Sequence, residues 1–366
     1  MAKPAAKADT QAAIPAPREN PDLLGHPGAE QRLLTAYESG RIPHAWLIHG
    51  PRGIGKATLA YRFARFVLNG GSSSPGLFGE SPDGLALDAG NEVFRRVASG
   101  GHGDLVTLER GVDSKGKPRS VIPVEDARYV VSFLRKTSSE GGWRIVVVDP
   151  IDDMNINATN ALLKILEEPP KEVLLLLLSH QPARLLPTIH SRCCHLALTP
   201  LAEDTVAALL RQHRPELPEA EVQALARLSE GSIGQALQLE AIGGLALYKA
   251  LIDIIASLPR MDVVKVQAFG DRLAQDSGGE TFRTAMELLL WWLARLIHGG
   301  ATGQLPPPVV PGESEIMQGL LTRRPLAQWL TLWDKTSALY KSADHANLDR
   351  KHVVISVFSE IEAPTS

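Results

Sequence analysis

The chain has 366 residues and only two cysteines, Cys193 and Cys194, which are adjacent. Neighbouring cysteines rarely bridge, and two thiols cannot build a four-cysteine zinc site. A disulfide scaffold is therefore excluded, and a reducing cytoplasm is the expected setting. Long apolar runs are missing as well. Leu288 to Ile297 is too short to span a bilayer and contains Arg295. The N-terminus has no apolar stretch of the kind a signal peptide needs. Charge of one sign is also scarce: the net charge of −3 argues against nucleic-acid binding over the whole surface but leaves room for a local basic patch. Against these absences, 44% hydrophobic and 22% charged residues describe an ordinary globular chain, long enough for two or three domains.

Met1 to Pro17 is rich in Ala, Pro and Lys and reads as a tail, with order expected from about Pro21. Trp46-Leu47-Ile48 is a short buried strand that runs into a glycine loop. Lys56 to Leu68 follows as a helix, with Leu59, Phe63, Phe66 and Val67 on one face. Gly70 to Gly84 is loop by composition. Asp104–Leu108 reads as a strand and Val124–Leu134 as a helix. Ile145–Val148 and Val173–Leu178 are continuous apolar runs, as expected of strands buried on both faces of a parallel sheet. The alternation continues to about Leu198 and predicts an α/β fold, a parallel sheet covered by helices. Thr199-Pro200 predicts a helix start, and the chain beyond reads as helix, with Leu305–Gly312 a proline-rich connection. Leu326, Trp329, Leu330 and Trp333 mark one helical stripe. The tryptophans Trp291, Trp292, Trp329 and Trp333 suit a core or subunit contacts. The expected divisions are a tail over 1–18, a nucleotide-binding-fold domain over 19–198, a small helical subdomain over 199–242 and a helical domain over 243–366.

Gly50-Pro51-Arg52-Gly53-Ile54-Gly55-Lys56 has the spacing of a phosphate-cradling loop between a strand and a helix. Its glycines let backbone N–H groups turn toward phosphate oxygens, and the helix N-terminus adds a positive dipole end. Lys56 would reach the outer phosphates of ATP. An ordinary glycine turn is the bland alternative. The residue after Lys56 should carry a hydroxyl for Mg²⁺, yet it is Ala57. Thr58 points elsewhere, about 100° further round the helix. Asp149 ends the apolar strand where an acid would hold Mg²⁺ through water. The following position, normally a glutamate that activates water, is Pro150, which cannot act as a base. Asp152 and Asp153 stand close by and read as helix-capping acids.

These motifs resemble the clamp-loader branch of the AAA+ ATPases. The resemblance rests on His44-Ala45-Trp46-Leu47 before the glycine loop, on Asn160 to Pro170 (Asn-Ala-Leu-Leu-Lys-Ile-Leu-Glu-Glu-Pro-Pro), and on Ser191-Arg192-Cys193 after Leu186-Pro187-Thr188-Ile189. It implies an AAA+ domain, a helical lid and an α-helical collar. It implies a hetero-pentamer with other clamp-loader subunits, and through it the sliding clamp and primer-template DNA. Arg192 would be an arginine finger acting on a neighbour's ATP, although a surface arginine paired with an acid would look the same in sequence. Ser179 and His180 fall at the first sensor. Gly231-Ser232-Ile233-Gly234-Gln235-Ala236 falls at the second, with Gln235 where hydrolysing members have arginine. The four zinc cysteines usual in the family are missing from Gly70–Val121, so no metal is expected there. Together Ala57, Pro150 and Gln235 favour a stator-like subunit with poor hydrolysis. The alternatives are an active AAA+ DNA-dependent motor and, from another class, a small-molecule kinase, for which no acceptor pocket or lid is evident. Arg128, Arg135, Lys136 and Arg144 bracket one helix and read either as a DNA-backbone contact or as a solvated basic face.

Overall fold

The computed structural model describes residues 15–71, 84–112, 116–117, 119–276, 278–346 and 349–362. The predicted loop over Gly70–Gly84 and the tail before Pro15 fall largely outside them. The chain divides into two compact units, one running to His213 and taking in Gly231–Gly234, the other comprising Arg214–Glu230 and Gln235 onward.

The first unit is built on five strands: β1 (Ala45–His49), β2 (Leu105–Glu109), β3 (Arg144–Asp149), β4 (Val173–Ser179) and β5 (Cys194–Ala197). All pair in parallel, in the order β2-β3-β4-β1-β5. Strand β1, between β4 and the edge strand β5, sets Trp46 opposite Leu176 on β4 and Cys194 on β5. Its helices are α1 (Pro27–Glu38), α2 (Lys56–Leu68), α3 (Glu92–Ala98), α4 (Val124–Leu134), α5 (Ile156–Glu167), α6 (Pro187–His190) and α7 (Glu203–His213).

The apolar runs are continuous because each strand feeds two cores. On β3, Ile145 and Val147 join α1 and α2 on one face, while Val146 and Val148 join α4 and α5 on the other. Successive side chains of a strand point to opposite faces, so a strand covered on both sides has no polar position to spare. Within α5, Ala158, Leu162, Ile165 and Leu166 are buried, and Ala161 is only half-buried. Asn155 caps that helix by accepting from the Ala158 N–H at 2.9 Å.

Three local expectations are corrected. The helix expected at Thr199-Pro200 begins at Glu203. Thr199 to Ala202 stays irregular because the Leu201 N–H donates to Gly231 O at 2.9 Å, a partner thirty residues away. Order begins earlier than Pro21, since buried Arg65 donates to the carbonyls of Arg18 and Asn20 at 3.0 and 2.9 Å. Arg144 is buried rather than part of a basic face. Its guanidinium donates to the carbonyls of Leu134, Lys136 and Lys171 and closes the turns around β3. Arg128, Arg135 and Lys136 are exposed.

The second unit is helical: α8 (Glu219–Leu228), α9 (Ile233–Ala241, its first two residues belonging to the first unit), α10 (Gly244–Ile255), α11 (Val263–Gln275), α12 (Glu280–Thr302), α13 (Glu313–Arg323), α14 (Leu326–Ala346) and α15 (Arg350–Glu362). Trp292 and Trp329 are fully buried in it. Trp333 Nε1 donates to Leu290 O at 3.1 Å and ties α14 to α12. The stripe on α14 is Trp329, Leu332, Trp333 and Thr336, not one that includes Leu330, which is 48% exposed. No described helix is long and apolar enough to cross a membrane.

Candidate functional site

The glycine loop leaves β1 at its C-terminal end, the end of the strands outside which ligands of open parallel sheets collect. Gly53 and Gly55 adopt φ of 74° and 104°, conformations that a Cβ would strain. The loop is also closely covered. A Cβ on Gly50 would strike Leu198 O, and one on Gly53 would strike Ser232 Oγ. Ser232 Oγ donates to Arg52 O at 2.8 Å, and the Gly234 N–H donates to Gly53 O at 2.9 Å. The segment Gly231–Gly234 is thus hydrogen-bonded to the loop. On the other side, buried His26 donates from Nε2 to Ile54 O at 2.7 Å.

Lys56 opens α2 and is buried. Its ammonium donates to Gly50 O at 2.7 Å and to Pro51 O. Burial lowers its pKa to about 8, against the pull of Asp149 and Asp152 and with Arg52 adding to the depression. The first-turn N–H groups of α2 have no acceptors within the helix. With Lys56 and exposed Arg52, they form a basic, anion-accepting end. These residues fit a phosphate. They fit a magnesium ion less well, since Ala57 offers no oxygen.

Asp149 ends β3 beside Glu109 of β2, its register partner. Burial first, and then the Glu109 charge, raise its carboxyl above the ordinary range. Pro150 is buried and follows directly. Asp152 and Asp153, read from the sequence as caps of their own helix, have other partners. Asp152 accepts from Ser179 Oγ at 2.9 Å, from the His180 N–H at 2.6 Å and from the Gln181 N–H at 3.3 Å. It fastens the end of β4 to the turn after β3. Asp153 pairs with Arg110 at 2.7 Å.

His180 therefore sits where β4 meets the site. Burial, reinforced by Lys56 and Arg52, lowers its pKa to about 4, so its imidazole is neutral near pH 7. Its Nδ1 is buried without a hydrogen-bond partner among the described residues. Ser179 is fully buried, its hydroxyl committed to Asp152. Gln235 lies exposed on α9. Lys56 is close enough to Asp149, Asp152 and His180 for their charges to interact, and Asp152 likewise acts on His180.

Arg192 lies away from that group, just after α6. Its guanidinium meets Glu167 at 2.8 Å and donates to Thr188 O at 3.2 Å and Ser191 Oγ at 3.1 Å. It remains about one-third exposed. Below it, the His190 and His195 rings stack at 5.2 Å, and His195 donates from Nε2 to His190 O at 3.0 Å, which fixes α6 against β5.

Sequence reasoning missed the roles of Asp152, Glu167, His26 and Ser232. Only Asp152 carried a signal, its place three residues beyond the strand-end acid. Sequence reasoning also missed a cluster at the opposite end of the sheet, where His102, Asp104 and Glu140 bring ligand-type atoms within 4.8 Å of one another. Its hydrogen bonds do not suit a metal. His102 Nδ1 accepts from the Asp104 N–H at 3.2 Å, which leaves the proton on Nε2, facing Glu140. Asp104 already accepts from Ser138, Ser139 and Glu140.

A family model described as DNA polymerase III, delta subunit, matches residues 25–202. The delta' subunit of DNA polymerase III from Pseudomonas aeruginosa is 35% identical over 247 residues, 67% of this chain and 69% of that one. The Escherichia coli delta' subunit is 33% identical over 57% of this chain and 58% of its own length. The Escherichia coli tau subunit is 28% identical over 85% of this chain but only 48% of its own length. The matched region contains the glycine loop, the Asp149 strand end and the Arg192 turn on one five-stranded sheet, and the chain belongs to the delta-prime family of clamp-loader AAA+ proteins, subunits of DNA polymerase III.

Proposed function

We propose that this chain serves in a clamp loader as a partner-binding scaffold. It completes a neighbouring subunit's ATP site with Arg192 and contributes little hydrolysis of its own. The assembly, with other clamp-loader subunits, loads the sliding clamp onto primed DNA. Residues 199–242 act as the lid and 243–366 as the collar that holds the ring. The observation that carries this reading is the fate of the acids around Pro150. Proline has no carboxylate to activate water. The two acids that follow it in the chain are engaged, Asp152 with the end of β4 and Asp153 with Arg110, and Glu109, beside Asp149 on β2, ends a strand that does not carry the missing glutamate's position. Ala57 removes the hydroxyl ligand for Mg²⁺, and Gln235 stands where an arginine would stabilise phosphate charge. ATP binding at Lys56 is compatible with the loop glycines, and its rate of turnover is the discriminating quantity.

The motor reading retains one favourable observation, the intact glycine loop with Lys56 at the helix start. ATP turnover by the isolated chain separates the two. The scaffold reading expects background turnover, and a rate of the order of 1 per second or more defeats it. In the assembled loader, Arg192→Ala should leave folding and assembly intact and depress ATP hydrolysis, because an arginine finger that engages the bound phosphate also stabilises the further charge that builds there in the transition state. An unchanged assembled rate would remove Arg192 from that role.

A further inference from the structure

Glu167 occupies an unfavourable place for an acid. It is the last residue of α5, at the negative end of the helix dipole, where a carboxylate is destabilising and a cation is favoured. It is followed by a second exposed acid, Glu168. Helix stability does not explain it, and neither does core packing, since its side chain is 48% exposed. Among the described residues its partner is Arg192, at 2.8 Å. With Thr188 O and Ser191 Oγ, it folds the guanidinium back against α6. We propose that Glu167 is a positioning residue, a counter-ion latch that keeps Arg192 folded back until the phosphate of a neighbour's nucleotide displaces it. This rests on the reading of Arg192 as a finger in trans.

The energetics suit exchange rather than locking. Both partners are open to water, so the pair is weak. A polyphosphate is a stronger partner for a guanidinium, because it offers more charge and bidentate geometry. The latch therefore competes with nucleotide only before Arg192 engages it. Once the finger is on phosphate, Glu167 has no part in the transition state. An interaction lost on binding changes KM, and one made only in the transition state changes kcat.

The test uses a loader assembled from this chain and its partner subunits, with the other nucleotide sites silenced at their P-loop lysines. Glu167→Gln should lower the KM for ATP about two- to fivefold, the range of an exposed ion pair, with kcat unchanged. Glu168→Gln should change neither, and Glu167→Gln placed on Arg192→Ala should have no further effect. An unchanged or raised KM in Glu167→Gln, alongside a depressed kcat in Arg192→Ala, overturns the latch and leaves the finger standing. An equal fall in Glu168→Gln, or one that survives Arg192→Ala, reduces the effect to general charge and also overturns the latch. A normal kcat in Arg192→Ala overturns the finger, and the latch with it.

Discussion

At the scale of single residues, the site is defined by what its acids and bases already hold. Asp152 accepts three hydrogen bonds from consecutive residues at the end of β4. Asp152→Ala would leave the buried Ser179 hydroxyl and two backbone N–H groups without their acceptor. Hydrogen bonds to a charged group are worth about 1.5–3 kcal/mol, and a loss of about 2 kcal/mol should appear as a lower urea midpoint. An unchanged midpoint would mean that water replaces the carboxylate. Lys56 gives a pH dependence with a definite sign. With its pKa near 8, the ammonium is mostly charged at pH 7 and mostly neutral at pH 9. Affinity for a nucleotide held by Lys56 should therefore fall roughly tenfold over that interval; a flat profile in equilibrium binding would place the phosphate elsewhere. The same depression makes stability rise with pH from about 8 toward the ordinary lysine value of 10.5, because there the unfolded chain binds more protons than the folded one.

At the scale of elements, the sequence was most legible where structure is local. α2 and α4 have the predicted bounds; α2 carries a clear apolar stripe and begins at the glycine loop, and α4 buries Ala127, Val130, Phe133 and Leu134 on one face. The strands were legible as apolar runs, with ends that moved by a residue or two. The failures have non-local causes. Thr199-Pro200 has the chemistry of a helix start, but Leu201 pairs with distant Gly231. Arg144 looked like part of a basic surface because a sequence does not show three carbonyls converging on one guanidinium. In the candidate site, the glycine loop was legible from its spacing and Asp149 from its place at a strand end, Arg192 was singled out only by the family resemblance, and the partners Asp152 and Glu167 depend on how strands and helices meet. Glu313 was equally invisible. It is fully buried at the start of α13, with Arg295 at 2.8 Å, the Tyr248 hydroxyl donating at 2.6 Å and the N–H groups of Val309 and Val310 donating to it. Truncating one partner of such a network strands the other charge, so Glu313→Ala should cost about 3–5 kcal/mol, read by chemical denaturation. A cost below about 1 kcal/mol would show that Arg295 finds water instead.

At the scale of the whole molecule, the three positions on which the scaffold reading rests lie on separate elements. Ala57 is on α2, Pro150 follows β3 and Gln235 is on α9. Ala57 packs against the core under α2 and Pro150 is buried, and on the scaffold reading each position lacks a different requirement: a metal ligand, a base and a cation. Restoring the base alone is not expected to restore turnover, because general-base catalysis multiplies a reaction that the metal and cation must already support. The metal can be tested apart from hydrolysis, since it acts on binding. In the natural chain, nucleotide affinity should change less than about threefold when Mg²⁺ is removed with a chelator, an effect below one tenfold step in affinity. Ala57→Thr places a hydroxyl at the first turn of α2, next to Lys56, and should create a Mg²⁺ dependence of about tenfold or more, while turnover stays at background because Pro150 and Gln235 are unchanged. A strong Mg²⁺ dependence already present in the natural chain would mean that Asp149 and water hold the ion without the missing ligand, and the account of Ala57 would fail there.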